Sequence, residues 1–215
     1  MSSVLDRAEE YLSDAGMLGL PGAVLYSGEE TLRPSPVYLL GLNPGGSEGA
    51  TLKDSIDRSR QGNNCYLDEQ WAPGGKLRPK GKATLQRRIQ HLCTVMGLDT
   101  RNVPASNLAF TRSRRVGVHD NFDEAIEASI PVHEMFVSVI QPKFLMTFGS
   151  LDNFVKAVVV NQVETRLADH GSWKAHRGLA TFAGQHIPFG NVPHMSLWAS
   201  DKREHVLRWA LKQFI

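Results

Sequence analysis

The stretch Val37-Tyr38-Leu39-Leu40-Gly41-Leu42, followed at once by Asn43-Pro44-Gly45-Gly46, constrains this chain more than any other. A short run with no charged or amide side chain suits a strand buried on both faces of a parallel sheet, where there is no solvent side to alternate with. Proline then removes a ladder donor and the paired glycines weaken extended structure, so the strand must stop. The break leaves a polar amide, Asn43, at the carboxyl end of a buried strand. That is where open α/β sheets set their ligand crevices. Asn, Pro and Gly also dominate ordinary turns, so the informative feature is where the amide sits.

Strand and helix patterns alternate along the rest of the chain. Ser3 and Asp6 form a helix-start box, and Val4, Leu5, Ala8, Tyr11 and Leu12 recur at helical spacing until Gly16. Residues 17–36, rich in Gly and Pro, are expected to wrap the surface. Residues 47–83 read as a long polar loop or lid with one helix near Leu52 and Ile56. The segment closes with Lys76, Arg78, Lys80 and Lys82 before a helix start at Thr84, where free backbone N–H groups favour phosphate. Leu85, Ile89, Leu92, Cys93 and Met96 trace one helical stripe that Gly97 ends. Val103 to Phe110 read as a second strand carrying Asn107, and a basic cluster, Thr111-Arg112-Ser113-Arg114-Arg115, follows. A helix is expected from Asp120 towards Ile140, kinked or split at Pro131.

Lys143 to Phe148 make a third buried strand. Gly149-Ser150 then opens a helix carrying Leu151, Phe154, Val155, Val158 and Val159. Residues 177–193 suggest two short strands around Gly184-Gln185, and Ser200 caps a final helix with Val206, Leu207, Ala210, Leu211 and Phe214 inward. The alternation implies one domain over residues 1–215. Its expected architecture is a three-layer α/β/α sandwich on a mostly parallel sheet of about four strands.

Size and composition set outer bounds. With 215 residues, 41% of them apolar, the chain can bury a full core within one domain. A formal charge of +2 does not announce a nucleic-acid partner, so local basic clusters must carry that argument. The two cysteines, Cys65 and Cys93, cannot supply the four thiolates of an iron–sulfur cluster or a structural zinc site. No basic, then apolar, N-terminal block and no membrane-length run is visible, and the expectation is a reduced, cytoplasmic protein.

Three strand ends thus carry polar groups with no evident structural task, Asn43, Asn107 and His194, and Gly149-Ser150 offers backbone N–H groups at a fourth. In this ordered set the chain resembles the uracil-DNA glycosylase superfamily. Gly41-Leu42-Asn43-Pro44-Gly45 is similar to the Gly-x-Asn-Pro-Gly motif of its mismatch-specific and single-strand-selective branches. Asn107 matches the asparagine that ends the second strand, Phe148-Gly149-Ser150 the third strand and its glycine turn, and His194-Met195-Ser196-Leu197 the final His-Pro-Ser-Pro-Leu motif. The resemblance spans residues 37–215.

The resemblance implies hydrolysis of the N-glycosidic bond of a flipped-out uracil or modified pyrimidine, leaving an abasic site. Asn43 orients the water and binds the base, since an amide has no useful pKa. His194 donates to the base oxygen on which charge develops. Asn107 reads the base edge, and Leu42 joins it at the base. Tyr66, or else Phe110, covers the base. Lys80, Lys82, Arg112, Arg114, Gly149, Ser150 and Ser196 hold the DNA backbone. Leu197 or Trp198 wedges into the duplex. No metal or other cofactor is implied, and the protein acts on DNA as a monomer, away from membranes. Two departures stand out: Met195 replaces the family's proline, and Tyr66 lies further from the first motif than the family's aromatic. A bulky modified cytosine of the kind found in bacteriophage DNA is an alternative substrate.

Three competing readings remain. Gly45-Gly46-Ser47-Glu48-Gly49 matches a nucleophile elbow, with Asp169 and His194 following in hydrolase order, although Asn43-Pro44 separates it from its strand. His170, His176, His186 and His194 are conceivable metal ligands, but their spacing fits no helical or hairpin pattern. The third reading is a catalytically silent relative that only binds nucleic acid.

Overall fold

The computed structural model describes residues 2–46 and 49–214. Helix α1 (Val4–Asp14) starts as its sequence dictates: the Asp6 N–H donates to the Ser3 hydroxyl at 3.1 Å and the Ser3 N–H to the Asp6 carboxylate at 2.9 Å. Helix α2 (Leu52–Arg60) repeats this reciprocal cap with Thr51 and Asp54. The other helices are α3 (Thr84–Val95), α4 (Phe122–Ile140), α5 (Leu151–Phe154) and α6 (Glu204–Ala210).

Six strands form one sheet: β1 (Val37–Gly41), β2 (Ala105–Asn107), β3 (Phe144–Phe148), β4 (Val159–Leu167), β5 (Lys174–Phe182) and β6 (Gln185–Val192), in the order β2-β1-β3-β6-β5-β4. The first four in that order run parallel, and β5 and β4 add antiparallel strands at one edge. All of β1 is buried, as its unbroken apolar run requires. Tyr38 and Leu40 face α1, α2 and α4, whereas Val37 and Leu39 face α3 and α6. The sheet is therefore sandwiched between two helical layers, each with its own core.

The α/β sandwich agrees with the sequence reading, but about four strands was too few. Val158 and Val159, assigned above to a helix, instead lead into β4, which begins at Val159, and α5 stops at Phe154. Consecutive β-branched residues lose χ1 freedom in a helix and pack readily on a pleated surface. The expected pair of strands around Gly184 is the β5–β6 hairpin, whose turn residues Ala183 and Gly184 both have positive φ (48° and 72°), the geometry that matches strand twist.

Pro131 does not interrupt α4, which is continuous over 19 residues. The carbonyl that proline leaves unpaired belongs to Glu127, on the exposed face, where water reaches it, while Ile126, Val132 and Phe136 anchor the helix on either side.

Two loop expectations also change. Residues 23–27 do not wrap the surface but cover the free edge of β2. The Ala23 and Tyr26 N–H groups donate to the Phe110 and Ala105 carbonyls at 2.9 and 2.7 Å, and the Ser106 hydroxyl donates to the Val24 carbonyl at 2.6 Å. The stretch after α2 is pinned to α3: the Gln86 amide donates to the Cys65 and Glu69 carbonyls at 2.8 and 2.9 Å, and the Gln90 amide to Tyr66 and Gly81 at the same distances.

Candidate functional site

The strand order reverses direction at β1, which has β2 on one side and β3 on the other. This is the switch point at which doubly wound sheets open a crevice beyond their strand ends. Because β2, β1, β3 and β6 are parallel, Asn107, Leu42-Asn43, Gly149-Ser150 and Pro193-His194 all emerge along the same edge.

Gly41 couples the first three. A Cβ there would lie 2.2 Å from Asn107 Oδ1 and 3.2 Å from the Phe148 ring, so only glycine lets these two side chains meet across β1. Phe148 in turn stands edge-on to the His194 imidazole, with ring centroids 5.6 Å apart. Gly149 (φ 130°) accepts the Leu42 side chain where a Cβ would come within 2.6 Å of it. Behind that turn, the buried Asn191 amide donates to Thr147 Oγ1 at 2.9 Å and to the Gly149 carbonyl at 3.3 Å.

Each of the three polar groups has a defined hydrogen-bonding state. Asn43, half-buried, spends its amide N–H groups on the carbonyl and hydroxyl of Ser113 (3.1 and 3.2 Å) and the Pro44 carbonyl (2.9 Å). Among the described residues nothing donates to its Oδ1, so the group it offers is an acceptor. Asn107 is 4% exposed and its Nδ2 has no partner among the described residues, a buried donor of the kind that is rare without a task. The His194 Nδ1 accepts from the Ser196 N–H at 3.3 Å and contacts the Ser196 hydroxyl at 2.7 Å. An N–H can only donate, so the neutral ring carries its proton on Nε2. Burial pushes the His194 pKa down, which favours this neutral form.

The Asn107 backbone is fixed from below. His133, fully buried, directs Nε2 at the Asn107 and Leu108 carbonyls (3.1 and 3.2 Å), and its Nδ1 faces the Tyr38 hydroxyl at 3.0 Å. Carbonyls only accept, so Nε2 holds the proton and Tyr38 donates to Nδ1. Burial lowers the His133 pKa to about 4, against the pull of the two carbonyls.

Several other assignments from the sequence need correction. Tyr66 is 2% exposed and packs behind Tyr26 and Trp71, with centroids 5.5 and 5.9 Å away. Phe110 is wholly buried against His133. Neither ring can cover a base. Tyr26, which the sequence does not single out, is a part-exposed aromatic residue at this edge, and its hydroxyl neighbours the Asn107 amide and the Arg112 guanidinium. It lay hidden in the Gly- and Pro-rich stretch taken for a surface wrap.

Trp198 is also fully buried, its indole N–H donating to the Ala168 carbonyl at 2.7 Å, whereas its neighbour Leu197 is 67% exposed. Met195 packs into the core, and its carbonyl accepts from Arg88 of α3 at 2.6 Å. Arg112 turns inward to donate to the Gly45 carbonyl, while Arg114, Lys80, Lys82 and Ser196 are exposed.

The hydrolase constellation does not assemble. Asp169 pairs with His205 at 2.7 Å and not with His194, and Ser47 lies outside the described residues. His170, His176, His186 and His194 each have a separate neighbour: Trp173, Thr165, Thr181 and Ser196. A cleft of about 670 Å³ flanks Asn43 through Gly46 and Ser113, lined also by Met17, Val118 and His119, but it does not reach Asn107 or His194.

No helix among the described residues is long and apolar enough to cross a membrane. No protein-family model matches the chain, and no curated protein matches it in a sequence search.

Proposed function

We propose that this chain is a monofunctional DNA glycosylase that hydrolyses the N-glycosidic bond of a flipped-out uracil or modified pyrimidine. The observation that carries this reading is the division of hydrogen-bonding roles along one sheet edge: an acceptor from Asn43, an unpartnered donor from Asn107 and a neutral imidazole donor from His194. N-glycosidic cleavage asks for these three things. The attacking water must be oriented, the base edge held, and negative charge on the departing base relieved.

Asn43 Oδ1 accepts from the water and so points a lone pair at the sugar carbon. With its N–H groups committed to Ser113 and Pro44, it has none left for the base, so its role narrows to the water. The Asn107 Nδ2 donates to the base edge. His194 Nε2–H donates to the pyrimidine oxygen as the bond breaks, and removing one such preorganised donor costs on the order of 10²–10³ in rate. Tyr26, backed by Tyr66 and Trp71, covers the extruded base. Leu197 fills the gap left in the stack, and Lys80, Lys82, Arg114, Ser196 and the Gly149-Ser150 turn meet the phosphates.

The test is a panel of single- and double-stranded oligonucleotides carrying uracil or modified pyrimidines, scored for alkali-labile sites. Asn43→Ala and His194→Ala are each expected to lower excision at least a hundredfold while leaving the unfolding midpoint and DNA binding nearly unchanged. DNA binding with no excision of any base would leave a binding protein in place of an enzyme.

A further inference from the structure

Strand β4 closes the sheet on the side away from the candidate site, with no strand on its outer edge among the described residues. Seven of its nine residues are exposed. Val159, Val163 and Leu167 on this strand, with Val155 just before it, make up half of the eight large apolar side chains that stand exposed among the described residues. An unpaired edge of this kind is normally blunted by lysines, by proline or by a covering element. Here no proline or lysine lies on the strand; its edge carries Glu164 and Arg166, one of each sign, and a bulge between Asn161 and Glu164, with Gln162 at φ 52°. The bulge leaves Glu164 to Leu167 regular.

The sequence at that regular end reads the same in chemical terms from either direction. Centred on Thr165, the regular residues Glu164-Thr165-Arg166 laid antiparallel on a second copy set Glu164 opposite Arg166 and Thr165 opposite Thr165, and Leu167 then meets Val163 at the margin of the bulge. Apolar pairs, opposite charges and Thr–Thr contacts are the cross-strand pairs that stabilise antiparallel ladders. Shifting the register by two residues puts Glu164 opposite itself or Arg166 opposite itself, so charge favours one alignment. We infer that β4 is a homodimer interface, pairing antiparallel with β4 of a second copy about a two-fold axis at Thr165 to form a continuous twelve-stranded sheet.

The association is isologous and closes at two copies. It departs from the monomer expected above and does not depend on any catalytic reading. Because the paired strands run antiparallel, the two candidate sites point to opposite edges of the joined sheet and both stay open. Two five-residue strands form a contact at or below the lower end of specific interfaces, so the pairing is a reversible equilibrium, expected in roughly the micromolar range or weaker.

Thr165→Cys tests the register directly. Directly opposed residues in an antiparallel pair sit about 4.5–5.5 Å apart between Cα atoms, within disulfide range. Glu164→Cys would lie opposite Arg166, too far from its own symmetry mate to bridge. The native Cys65 and Cys93 are buried and do not compete. Under mild oxidation the full-length Thr165→Cys protein should form a covalent dimer at least tenfold faster than Glu164→Cys. In sedimentation equilibrium the unmodified protein should show a concentration-dependent dimer that Thr165→Lys abolishes without lowering the unfolding midpoint. Equal or absent cross-linking in both cysteine variants, or a protein that stays monomeric at high concentration, would overturn the inference.

Discussion

The buried imidazole of His133 makes the fold sensitive to mild acid, by an amount that can be worked out. Burial holds its pKa at about 4 in the folded protein, against an ordinary value of 6.5 in the unfolded chain. Between those values the unfolded chain binds more protons, so stability falls as pH drops below about 6.5 and the loss levels off beneath about 4. From these two values the imidazole alone costs about 2 kcal/mol at pH 5, approaching about 3 kcal/mol at saturation. Against a usual domain stability of roughly 5–15 kcal/mol that is a large share. The Asp6, Glu9 and Asp68 carboxyls, held low by hydrogen bonds or ion pairs, add acid sensitivity, but mostly at lower pH. His176 and His194, also held low by burial, act with the same sign in the same window. The perturbation that isolates His133 is His133→Gln, whose amide can still donate to the Asn107 and Leu108 carbonyls and accept from Tyr38 but does not titrate. Urea unfolding of both proteins at pH 7.5 and pH 5 gives the difference. The wild type should lose about 2 kcal/mol more than the variant over that interval. Parallel pH dependence in the two proteins would refute the reasoning, as would an NMR titration showing the His133 ring protonated near pH 6.

Other perturbations separate the site from its scaffold. Tyr26→Ala should slow excision by roughly 5- to 100-fold through loss of base stacking, with the unfolding midpoint little changed. Tyr66→Ala should instead destabilise by about 3–5 kcal/mol in urea, since it empties a buried site. Gly41→Ala drives a Cβ to 2.2 Å from Asn107 Oδ1 and should lower excision at least tenfold. Wild-type kinetics in that variant would remove Asn107 from the reaction. Arg88→Met deletes the charge-assisted bond to the Met195 carbonyl, worth about 1.5–3 kcal/mol. Amide exchange at Leu197 and Trp198, whose N–H groups donate to the His194 carbonyl, should speed up, and Arg88→Lys should restore much of the protection.

Most of the fold was legible because its signals are local. The reciprocal caps at Ser3 and Asp6, the unbroken apolar run of β1 and the turn at Gly184 each contain their own physical cause. What misled was context. Val158 and Val159 continue the apolar helical stripe of Leu151, Phe154 and Val155 as readily as they open a strand, and because most of β4 is exposed its pattern has no buried face to separate the two. Pro131 carries a breaking signal that the packing of Ile126, Val132 and Phe136 overrides.

The site divides along the same line. Asn43, Asn107 and His194 could be read from sequence because each is a polar residue at, or within two positions of, the end of a strand, and the parallel order of β2, β1, β3 and β6 brings such ends to one edge whatever the loops do. The side chains around these three groups have no comparable mark. Tyr26 reaches this edge only because its backbone is laid along β2 through the Ala105 carbonyl, and Tyr66 is excluded only because Gln86 and Gln90 draw its loop down onto α3. Leu197 is exposed and Trp198 buried because the loop places them on opposite sides, a choice made by the Ala168 carbonyl thirty residues away. A side chain's chemistry can be read from its identity, but its access to a ligand depends on what holds the backbone beside it. A site read from strand ends alone will therefore tend to find the polar groups that the sheet brings to one edge and misplace the side chains packed around them.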